Sequence, residues 1–132
     1  MFNKYAKNSS KYLYFVFRVL FGVLFFFHGA QKLFGWFSTT GPAPLGSIFG
    51  IAGIIELVAG IFIACGLYTR IVALIAGIEM LVAYFKAHAP SGIVPLVNHG
   101  ELALLYFAGF LILFAYGAGI WRIESLWTSK EI

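Results

Sequence analysis

The sequence predicts an all-α integral membrane protein built as a four-transmembrane-helix bundle. Of its 132 residues, 61% are hydrophobic and only 11% are charged, whereas soluble domains average about 25% charged residues. The apolar residues fall in four runs of roughly 20 residues, the length at which a helix crosses ~30 Å of hydrocarbon. The runs are continuously apolar and do not alternate with polar residues, which excludes a transmembrane β-barrel.

The first span is predicted at 12–34, after a basic polar tail at 1–11. The basic start resembles a secretory signal, but the apolar run is too long and no small-x-small cleavage site precedes Lys32, so we expect an uncleaved span. The loop 35–46 is rich in Gly, Pro, Ser and Thr, as a connection between helices should be.

The second span is predicted at 47–67, with Ser47 as its N-cap. The third follows at 70–88 after a very short link, which makes these two spans antiparallel neighbours. The fourth is predicted at 99–120.

An amphiphilic tail at 121–132 completes the chain, and we expect it to lie at the membrane interface. Trp121 and Trp127 are suited to anchor it there, because tryptophan is enriched at the level of the lipid headgroups.

The distribution of cations predicts the orientation and the localisation. One side of the bundle collects most of them, namely Lys4, Lys7, Lys11, Arg70, Arg122 and Lys130. By the positive-inside rule both termini are cytoplasmic (N-in/C-in), in the plasma (inner) membrane. The net charge of +4 forms no basic stripe, so it does not indicate nucleic-acid binding.

Ionisable residues within the spans are the candidate functional residues, because such groups are costly in a bilayer and usually face protein or a water-filled cavity. His28 and Lys32 are four residues apart and share one face of the first span. That face continues through Phe25, Gly29, Gly22 and Arg18. In the second span Glu56 lies in a stripe of small residues, which allow close helix packing: Gly46, Gly50, Gly53, Gly60 and Ala64.

The later spans repeat this arrangement. Glu79 and Lys86 share a face with Ala76 and Ala83, and Glu101 shares one with Ala108 and Ala115. We therefore expect the polar face of every span to point into the bundle. Arg18 and Lys86 are near enough to an interface to snorkel towards it.

These positions predict a polar pocket in the outer half of the bundle. Its candidate catalytic residues are Lys32, Glu79 and His28, and its candidate substrate-binding residues are Glu56, Asn98, Glu101, Lys86 and Trp36. Two structural alternatives stay open. In the first, Glu56 and Glu79 serve only to hold helices together. In the second, Glu101 with Asn98 only caps the fourth span, where an acid is favourable.

No metal site is predicted, because no helix carries a pair of ligands at metal-binding spacing. Haem is also unfavourable, since His28 has no partner histidine at a matching depth. Cys65 is the single cysteine, so no intramolecular disulfide can form. We interpret it as a small packing residue.

Several motifs, taken in order, resemble the DoxX family over nearly the whole chain. They are His28-Gly-x-x-Lys32-Leu-Phe-Gly-Trp36, Gly53-x-x-Glu56-x-x-x-Gly60, Leu67-x-Thr69-Arg70, Glu79-Met-x-Val-Ala-Tyr84, His88-Ala-Pro-x-Gly92 and Asn98-x-Gly-Glu101-Leu-Ala-Leu-Leu-Tyr106. The resemblance implies a small four-helix membrane protein associated with membrane oxidoreductases, among them a thiosulfate:quinone oxidoreductase with a second subunit. It makes His28, Lys32, Glu56, Glu79, Asn98 and Glu101 the polar signature of the family.

The leading hypothesis is a quinone-linked oxidoreductase component. Lys32 and His28 would bind a ring oxygen, while Glu79 and Glu56 would tune those two groups and relay protons. The chain contains no redox centre, so a bound quinone, a substrate or a partner subunit would supply the electrons. One alternative is a non-catalytic membrane anchor for a partner enzyme. Another is a solute or proton pathway, which is less favoured because the polar groups become fewer towards the cytoplasm. We also expect that a homodimer can form.

Overall fold

The computed structural model describes residues 2–129, and side chains from Tyr5 onward. Within this range the protein is all-helical, as the sequence predicts. The side chain of Lys4 and the whole of Lys130, both used in the orientation argument, lie outside the described part.

Helix α1 (Phe2–Phe34) contains the predicted first span and also the basic segment before it. At 1.5 Å per residue it is roughly 50 Å long. Residues 5–13 are exposed, so the start of the helix extends beyond the bundle that the rest of α1 joins.

Helix α2 (Ile48–Cys65) begins where the sequence predicts. Ser47 is its N-cap, and the Ser47 side chain accepts a hydrogen bond of 3.1 Å from the Gly50 amide. The helix ends at Gly66, whose φ of 69° is in the left-handed region that glycine adopts without strain.

The predicted stripe of small residues on α2 is the surface that packs against α1. A Cβ added at Gly29 would lie 2.3 Å from the Leu57 nitrogen, and one added at Gly60 would lie 2.4 Å from the Phe26 nitrogen. The two helix backbones are therefore in direct contact, which only small residues permit. Two residues of the stripe are exceptions: Gly46 precedes the helix and is exposed, and Gly50 packs against Pro44 and Leu45 of the preceding loop.

Helix α3 (Thr69–Ala83) continues through a π-helical turn (Tyr84–His88) and a 3-10 turn (Ala89–Ser91). After a short helix α4 (Pro95–Asn98), α5 (Glu101–Tyr116) returns along α3 and forms its main packing partner. A 3-10 turn at Ile123–Leu126 follows near the end of the chain.

Within the described residues, three helical segments are long and apolar enough to cross a membrane: Tyr5–Phe34, Ile48–Cys65 and Thr69–Ser91. The predicted fourth span corresponds to α5, which has 16 residues, fewer than the ~20 that cross a bilayer without help. It is shorter than the predicted 99–120 because Gly117 and Gly119, both with positive φ, end the helical path.

The predicted inward face of the fourth span is wrong. Ala108 and Ala115 are exposed together with Glu101. The buried side of α5 carries a different set, in which aromatic residues alternate with small ones: Ala103, Tyr106, Gly109, Phe110 and Leu113. The reason is aromatic packing, since Phe21 of α1 fills the space over Gly109 and lies 5.0 Å, centroid to centroid, from Phe110.

Arg18 does not snorkel, contrary to the prediction. It is completely buried and donates hydrogen bonds to the carbonyls of Ala118, Ile120 and Trp121. It thereby fixes the chain that follows α5 against α1. Trp121 and Trp127 are exposed.

Candidate functional site

An ion pair between α1 and α2 is the centre of the candidate site. The Lys32 Nζ lies 2.5 Å from Oε1 of Glu56, and the Glu56 side chain is only 2% exposed. Gly53, one turn before Glu56, is in contact with the Lys32 stem, because a Cβ added there would lie 2.9 Å from the Lys32 Cβ. The small residues of α2 therefore allow Lys32 to approach Glu56.

A groove of about 550 Å³ lies between α2 and α3 on one side of this pair. Most of its walls are apolar, and its three polar groups are Lys32, Glu79 and Lys86. Ile51, Ile75 and Ile78 line it and are each more than half exposed, so the groove opens sideways onto the surface that lipid covers. We call this space the lateral groove.

A second space of about 210 Å³ lies inside the bundle, between α1, α3 and α5. More than half of its lining residues are polar: His28, Lys32, Glu56, His88, His99 and Tyr106. The ring of His28 meets the ring of Tyr106 edge-on, with the centroids 5.5 Å apart. We call this space the inner cavity.

Lys32 lines both spaces. Glu79, on the groove side, is close enough to Glu56 and Lys32 to interact electrostatically with each of them. Its Oε2 is buried and has no hydrogen-bond partner among the described residues. A group bound in the lateral groove therefore lies beside a cation, Lys32, and a carboxyl side chain, Glu79.

Five of the eight predicted site residues come together at these two spaces: His28, Lys32, Glu56, Glu79 and Lys86. They come from three separate helices, but they line two spaces that share Lys32, whereas the sequence predicted a single pocket. The catalytic and binding roles assigned to them stay predictions.

The other three predicted residues lie elsewhere in the described structure. Trp36 packs on the aromatic rings of Phe34 and Phe26. Glu101 is exposed in the first turn of α5, the position that the capping alternative favours. Neither residue lines the lateral groove or the inner cavity.

Asn98 is buried, and its side chain is bonded to the backbone around it. Its Oδ1 accepts a hydrogen bond of 2.7 Å from the Gly100 amide, and its Nδ2 donates one of 2.6 Å to the Gly92 carbonyl. These bonds hold the link between α4 and α5. They give Asn98 a positioning role in the structure, and its predicted role as a binding residue stays a prediction.

Sequence reasoning did not include Tyr106, His88 and His99 in the site. Helical phase could have found Tyr106, since Ala103, Phe110 and Leu113 recur on its face of α5. His88 depends on the π-helical turn, which adds a residue to the helical turn and shifts the side chains after it. His99 depends on a left-handed backbone conformation with a φ of 58°. No pattern in the sequence predicts either of these two features.

No group of three or more His, Cys, Asp or Glu side chains in the described part of the chain is arranged to hold a metal ion. Cys65 is a free, half-buried thiol near the end of α2.

Long apolar helices that bring acids and bases together in their interior define a multi-pass membrane protein in contact with the lipid bilayer. The chain belongs to the DoxX family, whose model matches residues 13–89. It is also 36% identical over 134 residues to an uncharacterized protein of Haemophilus influenzae, covering 97% of this chain and 99% of that protein. No solved structure matches this chain.

Proposed function

We propose that this protein is the membrane component of an oxidoreductase and that it binds a quinone, or another small redox-active compound, in the lateral groove. The observation that carries the proposal is the composition of the groove. Its walls are apolar and exposed to lipid, and Lys32 and Glu79 lie within it. A quinone matches this composition, because it has a lipophilic ring and polar oxygens.

The size and access of the groove support this assignment. Its volume of about 550 Å³ is within the ~300–1,000 Å³ typical of small-molecule sites, which are mostly apolar with a few polar groups that orient the ligand. The exposed isoleucines on α2 and α3 let a compound dissolved in the bilayer enter sideways, without crossing water.

The two polar groups suit the two redox states of a quinone. The Lys32 ammonium can donate a hydrogen bond to the carbonyl oxygen of the oxidised form, and the Glu79 carboxyl group can accept one from the hydroxyl of the reduced form. His28 lines the inner cavity together with Lys32, so we assign it a supporting role. A partner subunit or a bound cofactor would supply the electrons.

The proposal includes the topology. With α5 as a short fourth span and both termini in the cytoplasm, Lys32, Ile48 and Ala87 lie at the outer end of their helices. The polar part of the groove then opens in the outer half of the plasma membrane.

One observation favours the non-catalytic alternative, in which the protein is only an anchor. The ion pair between Lys32 and Glu56 joins α1 to α2, as an interaction that holds helices together would. The two functions differ at Glu79, which among the described residues has no ion-pair partner and no hydrogen bond to its Oε2. A residue that only holds helices together should not carry such an oxygen.

The test is to purify the protein in lipid nanodiscs, identify any bound quinone, and measure the affinity of a short-chain quinone. We expect Glu79→Gln and Lys32→Met to weaken binding at least about tenfold, or ~1.4 kcal/mol. Glu101→Gln is the matched control, because it makes the same carboxyl-to-amide change outside the groove. If Glu79→Gln binds as the original protein does, the groove is not the site. If Glu56→Gln and Glu79→Gln both unfold the protein, the anchor function is favoured.

A further inference from the structure

The inner cavity is polar and large enough to hold water. It has a volume of about 210 Å³, while one water molecule occupies about 30 Å³ in the liquid. Polar cavities of this kind fill with water, whereas purely apolar ones stay dry. Six polar side chains face it: His28, Lys32, Glu56, His88, His99 and Tyr106.

The carboxyl group of Glu56 provides a second, independent reason to expect water. Oε1 is bonded to Lys32, but Oε2 is buried and has no hydrogen-bond partner among the described residues. Leaving such an oxygen unpaired is unfavourable. Because Glu56 lines the inner cavity, a small rotation of its carboxyl group brings Oε2 to water in that cavity.

The cavity reaches the surface at His99, which is exposed and also lines it. His99 has a left-handed backbone, uncommon for a residue with a side chain. Asn98 holds this conformation through its bonds to Gly100 and Gly92, and its carbonyl oxygen lies 3.1 Å from the Nδ1 of His88. The link between α4 and α5 therefore places two histidines at the opening.

We infer that the inner cavity is a water-filled port through which the Lys32–Glu56 pair exchanges protons with the outer aqueous phase. Three side chains with ring nitrogens, His99, His88 and His28, line the cavity that leads to the pair. Protons and the groove ligand thus reach Lys32 by separate routes, from water and from lipid respectively.

The use of these protons at the lateral groove, and the outer side as the side on which the port opens, rest on the proposed function; the existence of the port does not. The charged and titratable groups around the pair are His28 on α1, Glu79, Lys86 and His88 on α3 and its π-helical turn, His99 on the link, and Tyr106 on α5. Since Lys32 lines both spaces, it is the group through which a proton passes from the cavity to a ring oxygen in the groove.

The first test measures water access by cysteine labelling in a Cys65→Ser background. Ala103→Cys places a thiol on the cavity wall, and Leu105→Cys, at a position 67% exposed on the outside of α5, is the control in lipid. A charged, membrane-impermeant thiosulfonate added from the outer side should modify Ala103→Cys at least tenfold faster than Leu105→Cys. Adding His99→Trp should slow that reaction at least tenfold.

The second test measures proton exchange at the far end of the cavity. The ring N–H of His28, followed by nitrogen-15 NMR in nanodiscs, should exchange with solvent at least tenfold more slowly in His99→Trp. His99→Ala, which leaves the opening wide, should exchange as fast as the original protein.

An unreactive Ala103→Cys, in a protein in which His99→Cys does react, would overturn the port. So would labelling and exchange that are unaffected by His99→Trp, because protons would then enter elsewhere. These results are separable from the proposed function. A protein that binds quinone but protects Ala103→Cys refutes only the port, whereas one that labels at Ala103→Cys without binding quinone refutes only the proposed function.

Discussion

Helix α1 carries Arg18 and Lys32 on one face, about four turns apart, and the surroundings of these two cations differ. Arg18 is completely buried and bonded to backbone carbonyls of residues 118–121. Its surroundings are tightly filled, since a Cβ added at Gly66 would lie 2.7 Å from its Nη1. Lys32 is one-quarter exposed, has one carboxylate partner, and lines both the lateral groove and the inner cavity.

The comparison shows that a buried charge alone does not indicate a functional site. Arg18 has donors in several directions, and backbone carbonyls fixed by the fold accept from it, so no space is left for a ligand. Lys32 has one ion-pair partner among the described residues and lines both the lateral groove and the inner cavity. The difference lies in what surrounds each cation, and that is determined by helix packing.

Replacing Arg18 should have the largest effect on stability. Arg18→Met removes the donor for three carbonyls in the chain after α5, so we expect a loss of roughly 3–5 kcal/mol. Thermal or denaturant unfolding in mild detergent measures it. Arg70→Met is the control, because Arg70 donates to the carbonyls of Phe114 and Ala115 at the exposed end of α5. We expect this substitution to lower the free energy of unfolding by only about 1 kcal/mol. Equal losses of stability in Arg18→Met and Arg70→Met would mean that the burial of Arg18 adds nothing to its contribution.

Replacing Lys32 should cost less stability and show strong coupling to Glu56. Lys32→Met leaves a buried carboxylate without its cation, and Glu56→Gln added to it removes that charge. We expect the double variant to recover stability, with a coupling free energy of about 1–3 kcal/mol in a double-mutant cycle. Additive losses would mean that the 2.5 Å pair contributes no interaction energy of its own.

The smallest effects should come from the predicted residues outside both spaces. Trp36→Ala and Glu101→Gln change exposed side chains, so we expect stability changes within about 0.5 kcal/mol for Glu101→Gln and unchanged quinone affinity for both. The binding assay with Glu79→Gln as the positive reference checks this. Loss of affinity in either variant would support their predicted binding role and extend the site towards the outer loops.

The sequence predicted the helices and the polar positions well where one local pattern decides them. The spacing of His28 and Lys32 and the small residues around Glu56 follow from helical periodicity and close packing, and both features appear in the structure. The Ser47 cap was predicted for the same kind of reason.

The features that the sequence did not predict depend on contacts between segments that are distant in the chain. On α5, the small residues Ala108 and Ala115 suggested the inward face, but the fit of Phe21 over Gly109 decides it. The π-helical turn before His88 and the left-handed backbone at His99 result from how the chain between α3 and α5 closes over the bundle. Arg18 was misjudged because its partners are backbone carbonyls, which no sequence pattern reveals.

The most direct measurement of the central claim is photoaffinity labelling by a light-activated quinone analogue in membranes that contain the protein, with the labelled residues identified by mass spectrometry. The account predicts labels on the groove walls, at 48–55 of α2 and 75–87 of α3 and its π-helical turn, and a strong decrease in Glu79→Gln. Labels on the outer face of α5, or labelling that Glu79→Gln leaves unchanged, would contradict it.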